Sequence, residues 1–222
     1  METFEELKKT FSDKNLLDIA LTHRSWVNEN PGKRRNNERL EFLGDAILEF
    51  IVSEALYQKF DKKEEGFLTA LRAKLVNTVG LSEVAKKLNI GAYLYLAKGE
   101  EEGGGRENPS LLADTIEAII GALFLDGGTE KAKNFIDKNI LDNLDEKASQ
   151  PLKDAKSLLQ EIVQAKGFPA PKYQVVSEEG PDHAKKFTIQ VLVDNASVGV
   201  GSGKSKSAAA QNAAKDGLKK FL

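Results

Sequence analysis

The sequence predicts two domains, an all-α domain followed by a small α+β domain of order α-β-β-β-α. Three observations carry this. As far as residue 146 the apolar residues recur at helical spacing, with no strand alternation. Asp145 to Lys156, DEKASQPLKDAK, is polar and contains Pro151, as an interdomain linker does. Beyond it the pattern shifts to period two, as strands require. The expected domains are residues 1–146 and 154–222, joined by a linker at 147–153.

Composition narrows the class. Cysteine is absent, which removes both a disulfide framework and a thiolate metal site and fits a reducing compartment. No apolar run approaches the length of a membrane span, and METFEELKKTF lacks the apolar centre of a signal peptide. A cytoplasmic protein with no membrane partner is expected. The hydrophobic fraction of 41% supports a real core. The net charge of −2 does not suggest a nucleic-acid binder, yet it is unevenly spread. From Pro151 onward there are 11 Lys and 7 acidic residues, against 21 basic and 27 acidic before it. An acidic half joined to a basic half suggests separate tasks.

In the first domain, Phe4, Leu7 and Phe11 mark one helix, and Leu16, Leu17, Ile19, Ala20 and Leu21 a second running to Ser25. His23 is read at the end of that helix, as a packed or capping residue rather than a ligand. NENPGKRRNN, Asn28 to Asn37, is a polar loop with a Pro-Gly turn signal. Its Lys33, Arg34 and Arg35 suit either a phosphate contact or a solvated basic loop. NNERLEFLGDAILEF follows as a helix, with Leu40, Leu43, Ala46, Ile47, Phe50 and Ile51 expected to face the core. After a polar loop at Asp61–Gly66, an amphipathic segment runs from Phe67 to Asn89, with Gly80 as its candidate interruption. The pattern of Ile90 to Ala97 does not distinguish helix from strand. Lys98 to Asn108, KGEEEGGGREN, reads as a flexible loop; no Gly-Lys-Ser/Thr ending makes it a phosphate cradle. Thr129 to Leu144 is the last helix of this half.

The candidate chemistry lies on two helices. At about 100° per residue, Glu41 sits at about 300° and Asp45 at about 340° from Glu38, so the three acids share one face. Phe42 falls beside them at about 40°. Asp114 and Glu117 repeat the i, i+3 spacing in a stretch, Leu111 to Leu125, that holds no other charge. Carboxylates in an apolar helix need a partner or a proton. A divalent metal shared by both faces is the simplest partner, because hard cations take oxygen ligands.

NERLEFLGDAIL and LLADTIEAIIGALFLDGG resemble the signature and the second catalytic helix of the bacterial ribonuclease III family. LTHRS and EEGFLTALRAKLVN match two further segments of that family, the latter with Glu65 at its acidic position. The resemblance implies Glu41, Asp114 and Glu117 as metal ligands, with Glu38 and Asp45 completing the cluster, and Asp45, Glu117 and Glu38 as catalytic residues. It implies Mg²⁺, with Mn²⁺ as a substitute. It implies a homodimer, for which Phe42 is the candidate anchor, and a contact between Glu65 and RNA near the cut.

In the second half, Ser157 to Lys166 is a helix, Lys172–Ser177 and His183–Val193 are strands, and Asp194-Asn195 is a hairpin turn. Ser197–Gly201 is a third strand and Ser205–Leu222 an Ala-rich helix. This order is similar to the double-stranded RNA-binding domain, and GSGKSKSAAAQNAA resembles that domain's second-helix signature. A helix N-terminus with Lys204, Ser205 and Lys206 suits a phosphate. Many family members carry lysine where Ser207 stands, which implies a somewhat weaker phosphate affinity here. Gln160 and Glu161 match positions that contact 2′-hydroxyls, and His183 lies in the loop matched to the minor groove.

The implied function is a Mg²⁺-dependent endoribonuclease for double-stranded RNA, acting on rRNA and mRNA precursors. It would leave 5′-phosphate and 3′-hydroxyl ends with short 3′ overhangs. A non-catalytic double-stranded RNA-binding protein is the alternative, against which the five acids stand. A helical di-iron protein is set aside, because neither His23 nor His183 follows a Glu by three.

Overall fold

A computed structural model describes residues 3–150, 152, 154–181 and 185–221. The chain forms two compact units, Met1–Gln150 and Pro151–Leu222.

The first unit is helical. α1 (Phe4–Thr10) begins at a reciprocal cap in which the Thr3 side chain accepts from Glu6 N–H and Thr3 N–H donates to the Glu6 carboxylate. α2 (Lys14–Ala20) and α3 (Arg24–Glu29) follow. His23 does not end a helix running to Ser25; the chain breaks at Leu21, and His23 is the N-cap of α3. The polar loop leads to α4 (Glu38–Lys59).

α4 buries Leu40 and Ile51 of the expected stripe, and with them Gly44, Leu48, Val52 and Leu56, which it did not include. Ala46 and Phe50 are exposed, and Leu43 and Ile47 only half-buried. The reason is a backbone contact with α8 (Pro109–Asn139). A Cβ on Gly44 would fall 1.8 Å from the Glu117 carbonyl oxygen, and one on Gly121 would fall 2.3 Å from that of Leu40. The buried face is centred on a glycine, which carries no hydropathy signal.

α5 (Glu65–Val76) and α6 (Thr78–Lys87) divide the expected long helix at Asn77, not at Gly80. Asn77 is extended (ψ 164°), and its side chain caps α6 by accepting from Gly80 N–H. A 3-10 turn at Ile90–Tyr93 follows, and then a parallel bridge between Thr22 and Tyr95. The expected loop at Lys98–Asn108 instead holds α7 (Lys98–Glu102) and a 3-10 turn at Gly105–Glu107. Arg106 pins it by donating to the carbonyls of Gly91 (2.8 Å) and Leu94 (3.1 Å) and pairing with Glu101 (2.7 Å). α8 supplies much of the core through Ile116, Ile119, Ile120 and Leu123, and is interrupted at Gly127 and Gly128. The expected linker at 147–153 begins inside α9 (Leu144–Ser149).

The second unit runs α10 (Ala155–Ala165), β1 (Lys172–Glu179), β2 (Lys186–Val193), β3 (Ala196–Gly203) and α11 (Lys206–Leu218). The strands form an antiparallel sheet of order β1-β2-β3. Asp194 (φ 51°) and Asn195 (φ 63°) are both left-handed, as a tight hairpin turn demands. Ile189, Val191 and Val193 pack under Leu159 and Val163 of α10 and the alanines of α11. α11 lies close on β3, since a Cβ on Gly201 would fall 2.1 Å from Ala213 N. His183, expected in the groove-entering loop, lies outside the described residues.

Candidate active site

The contact between Gly44 and Glu117 decides the geometry of the acids. Gly44 stands between Glu41 and Asp45, so close backbone packing there brings those side chains to Asp114 and Glu117. Glu41, Asp114 and Glu117 each offer an oxygen, all within 4.8 Å of one another. All three are half-buried.

Burial governs their protonation. It is the first cause that pushes the Glu117 carboxyl up to about 8, followed by the charges of Asp45, Asp114, Glu41 and Glu49. Burial also raises Glu41, with Asp114, Glu38 and Asp45 adding to it. Asp114 is raised by burial and drawn partly back by the charge of His23. Three carboxyls so placed repel as anions and lose that repulsion around a cation. The all-oxygen set suits a hard divalent ion.

Glu38 and Asp45 flank this set and are exposed. Asn36 Nδ2 donates to Glu38 at 2.9 Å, and Arg24 lies 3.6 Å from the same carboxylate. Asp45 acts on Glu41 and Glu117 through its charge. Glu49 is an addition that the sequence reading missed. Its carboxylate meets Arg72 Nε at 2.8 Å, and Arg72 also donates to Ser53 Oγ at 2.8 Å. The signal was present: Glu41, Asp45 and Glu49 repeat at intervals of four residues, one helical face.

A cavity of about 430 Å³ opens beside the acids, lined by His23, Arg24, Glu38, Glu41, Asp114 and Thr115 among others. Glu65, at the start of α5, lines a separate cavity of about 340 Å³ with Ser53, Tyr57 and Arg72. Phe42 is 82% exposed, and Ala46, Phe50 and Tyr57 continue an exposed apolar stripe along α4.

In the second unit, Gln160 and Glu161 are exposed on α10, and Lys204, Ser205 and Lys206 are exposed at the start of α11. The Ser205 hydroxyl caps that helix by accepting from Ala208 N–H at 3.1 Å. Lys206 pairs with Glu178 at 2.7 Å and sits over the Phe187 ring.

Carboxylates gathered for a hard cation, ahead of an α-β-β-β-α unit with a basic helix end, define a class: nucleases that carry their own RNA-binding module. Residues 13–144 match the ribonuclease-III-like family model, and residues 155–221 match the double-stranded RNA binding motif. Ribonuclease 3 of Bacillus cereus (strain G9842) is 46% identical over 98% of this chain and 89% of its own length. Ribonuclease 3 of Bacillus anthracis (strain A0248) shows the same identity and coverage. The crystal structure of the nuclease domain of ribonuclease III from Campylobacter jejuni is similar at TM-score 0.57 and 46% identity, covering 64% of this chain and 97% of that one. A second structure of that domain, reported for structural flexibility in a region involved in dimer formation, gives TM-score 0.58 and 46% identity over 64% and 99%. The chain belongs to the ribonuclease III family: an endoribonuclease domain joined to a double-stranded RNA-binding domain.

Proposed function

We propose that the chain is a Mg²⁺-dependent endoribonuclease that works as a homodimer on double-stranded RNA. The observation that carries this is the three-carboxylate set of Glu41, Asp114 and Glu117 on two helices in backbone contact. In this reading these residues and Asp45 hold the metal, while Asp45, Glu117 and Glu38 serve catalysis. Mg²⁺ fits the all-oxygen donors, and Mn²⁺ substitutes for it. The chemistry that the cation supplies when bound is activation of a water and stabilisation of the leaving 3′-oxygen. The products are 5′-phosphate and 3′-hydroxyl ends with short 3′ overhangs, and the substrates are rRNA and mRNA precursors.

Glu65 contacts RNA near the cut. Gln160, Glu161, His183, Lys204, Ser205 and Lys206 hold the duplex through 2′-hydroxyls and phosphates. Phe42 and the stripe along α4 form the dimer contact, since an exposed apolar face of this kind seeks a partner. No helix among the described residues is long and apolar enough to cross a membrane. The cytoplasmic setting is part of the proposal.

The alternative is a double-stranded RNA-binding protein without catalysis. A perfect RNA duplex incubated with the protein in Mg²⁺ or in EDTA separates the two. Cleavage in Mg²⁺ that EDTA abolishes supports the enzyme; a gel shift without cleavage supports the alternative.

A further inference from the structure

We propose that Arg35 is a backbone-phosphate contact of the nuclease unit, held out to the RNA duplex beside the acid cluster by a loop that Arg34 fixes from within. This rests on the duplex-cleaving reading above. The sequence leaves Lys33, Arg34 and Arg35 equivalent; the structure divides them. Arg34 is turned inward. Its Cζ stands 4.3 Å from the centroid of the Tyr95 ring and 5.5 Å from that of Trp26. The same guanidinium donates at 3.2 Å to Thr22 Oγ1 and at 3.2 Å to the Asp18 carboxylate. A planar fork that stacks and donates at once is a use for arginine that lysine does not share. Both ends of the loop are bonded as well. Asn30 Nδ2 donates to the Trp26 carbonyl at 3.0 Å, and Asn37 N–H donates to that of Thr22 at 2.9 Å. Lys33 Nζ turns back on the Asn30 side chain at 2.9 Å. Arg35 is exposed and, alone of the three, makes no hydrogen bond or ion pair among the described residues.

Its place in the chain puts that free charge next to the site. Asn36 donates to Glu38 at 2.9 Å, and Asn37 lines the cavity with Glu38, Glu41 and Asp114. At about 3.8 Å between successive Cα atoms, Arg35 Cα lies no more than about 7.6 Å from that of Asn37. Before Pro151 the chain carries 27 acidic residues against 21 basic ones, so a phosphate backbone approaches this unit only where cations stand out from it. Arg35 gives up no partner to take a phosphate. The loop that carries it is already ordered, which lowers the entropic cost of the contact. Arg34 is then the positioning residue and Arg35 the one that touches substrate.

The test is a gel shift of duplex RNA by the full chain across a salt series in Mg²⁺, in a Glu117→Gln background so that the RNA stays whole. Arg35→Gln is expected to melt with its parent and to flatten the slope of log K against log salt by about 0.9, the share of one phosphate. Arg35→Lys keeps the charge and is expected to keep the slope. Lys9→Gln is the control for net charge. Lys9 is exposed on α1, three residues before Ser12, whose N–H donates to Asp126 at 2.9 Å. Asp126 stands about 18 Å along α8 from Asp114. Lys9→Gln is expected to leave the slope unaltered. An unaltered slope in Arg35→Gln overturns the contact and returns the loop to a solvated face. An equal change in Lys9→Gln overturns it too, as an effect of net charge alone. Cutting by the Glu117→Gln parent removes Glu117 from the site, and kcat/KM over the same salt series then reads the slope instead. A parent that shifts no duplex fails the duplex reading itself, and Arg35 with it.

Discussion

Glu117 combines the strongest burial of the clustered acids with the repulsion of four neighbouring carboxylates, and its carboxyl is pushed up to about 8 from 4.5. Across that window the folded chain holds a proton that the unfolded chain has released. The contribution of Glu117 to stability therefore falls as pH rises from 4.5 to 8. Glu117→Gln keeps the shape and removes the titration. Without metal, the variant is expected to melt above the wild type at pH 8 and together with it near pH 4.5. Its cleavage of duplex RNA is expected to drop by about 10³-fold or more, while a gel shift in Mg²⁺ stays within a few-fold. Wild-type cleavage by the variant removes Glu117 from the site. Asp154 shows the opposite sign. The Ser157 hydroxyl, then the Gln211 amide, hold it down to about 2 from 3.8, and it caps α10. That stability is present above pH 3.8 and is lost as pH falls through 2. Asp154→Ala is expected to cost about 1 kcal/mol at pH 7 and little below pH 2, measured by urea denaturation.

At the scale of elements, the pair α4 and α8 brings the clustered acids together, and glycine sets their distance. Any side chain on Gly44 meets the backbone of Glu117, which no rotamer can move. Gly44→Ala is expected to destabilise the first unit by about 3 kcal/mol through overpacking and to weaken Mn²⁺ binding. A denaturant midpoint equal to the wild type shows that the helices can separate without loss. The face of α4 turned to solvent yields a second test. Phe42→Asp places a charge in the proposed dimer contact, and ultracentrifugation at low micromolar concentration is expected to show more monomer. An unchanged dimer removes Phe42 as an anchor. Spacing made the acids of each helix legible, because a helical face is a local property. The core face of α4 was legible only in part: Leu40 and Ile51 face the core as expected, but the face turns about Gly44 rather than an apolar side chain. The helix break at Asn77 was missed for a related reason: glycine suggested the break, but Asn77 makes the cap. Lys98–Glu102 reads as a loop until Arg106 reaches the carbonyls of Gly91 and Leu94. Pairs such as Glu49 with Arg72 join distant segments and leave no periodic trace.

Across the whole molecule, charge follows the two units, acidic where the cation is to be held and basic where the duplex is to be held. The prediction at this scale is that cleavage and duplex affinity respond to different substitutions. Lys204 and Lys206 stand at the capped start of α11, where the helix N-terminus also attracts phosphate. In the proposed role Lys206 would exchange its 2.7 Å contact with Glu178 for an RNA phosphate, and would contribute less than a free lysine. Lys204→Ala with Lys206→Ala is expected to lower duplex affinity at moderate salt and flatten the slope of log K against log salt by about 1 to 2. Glu178→Gln releases Lys206 and is expected to raise affinity at low salt. Neither change touches the clustered acids, so Mn²⁺ affinity is expected to stay at the wild-type value and short duplexes to be cut at low salt. Gel shifts across a salt series and a Mn²⁺ titration on the same preparations measure both. A salt slope unaltered by the double substitution places these lysines away from phosphate. A fall in Mn²⁺ affinity in that variant shows that the two units are energetically linked.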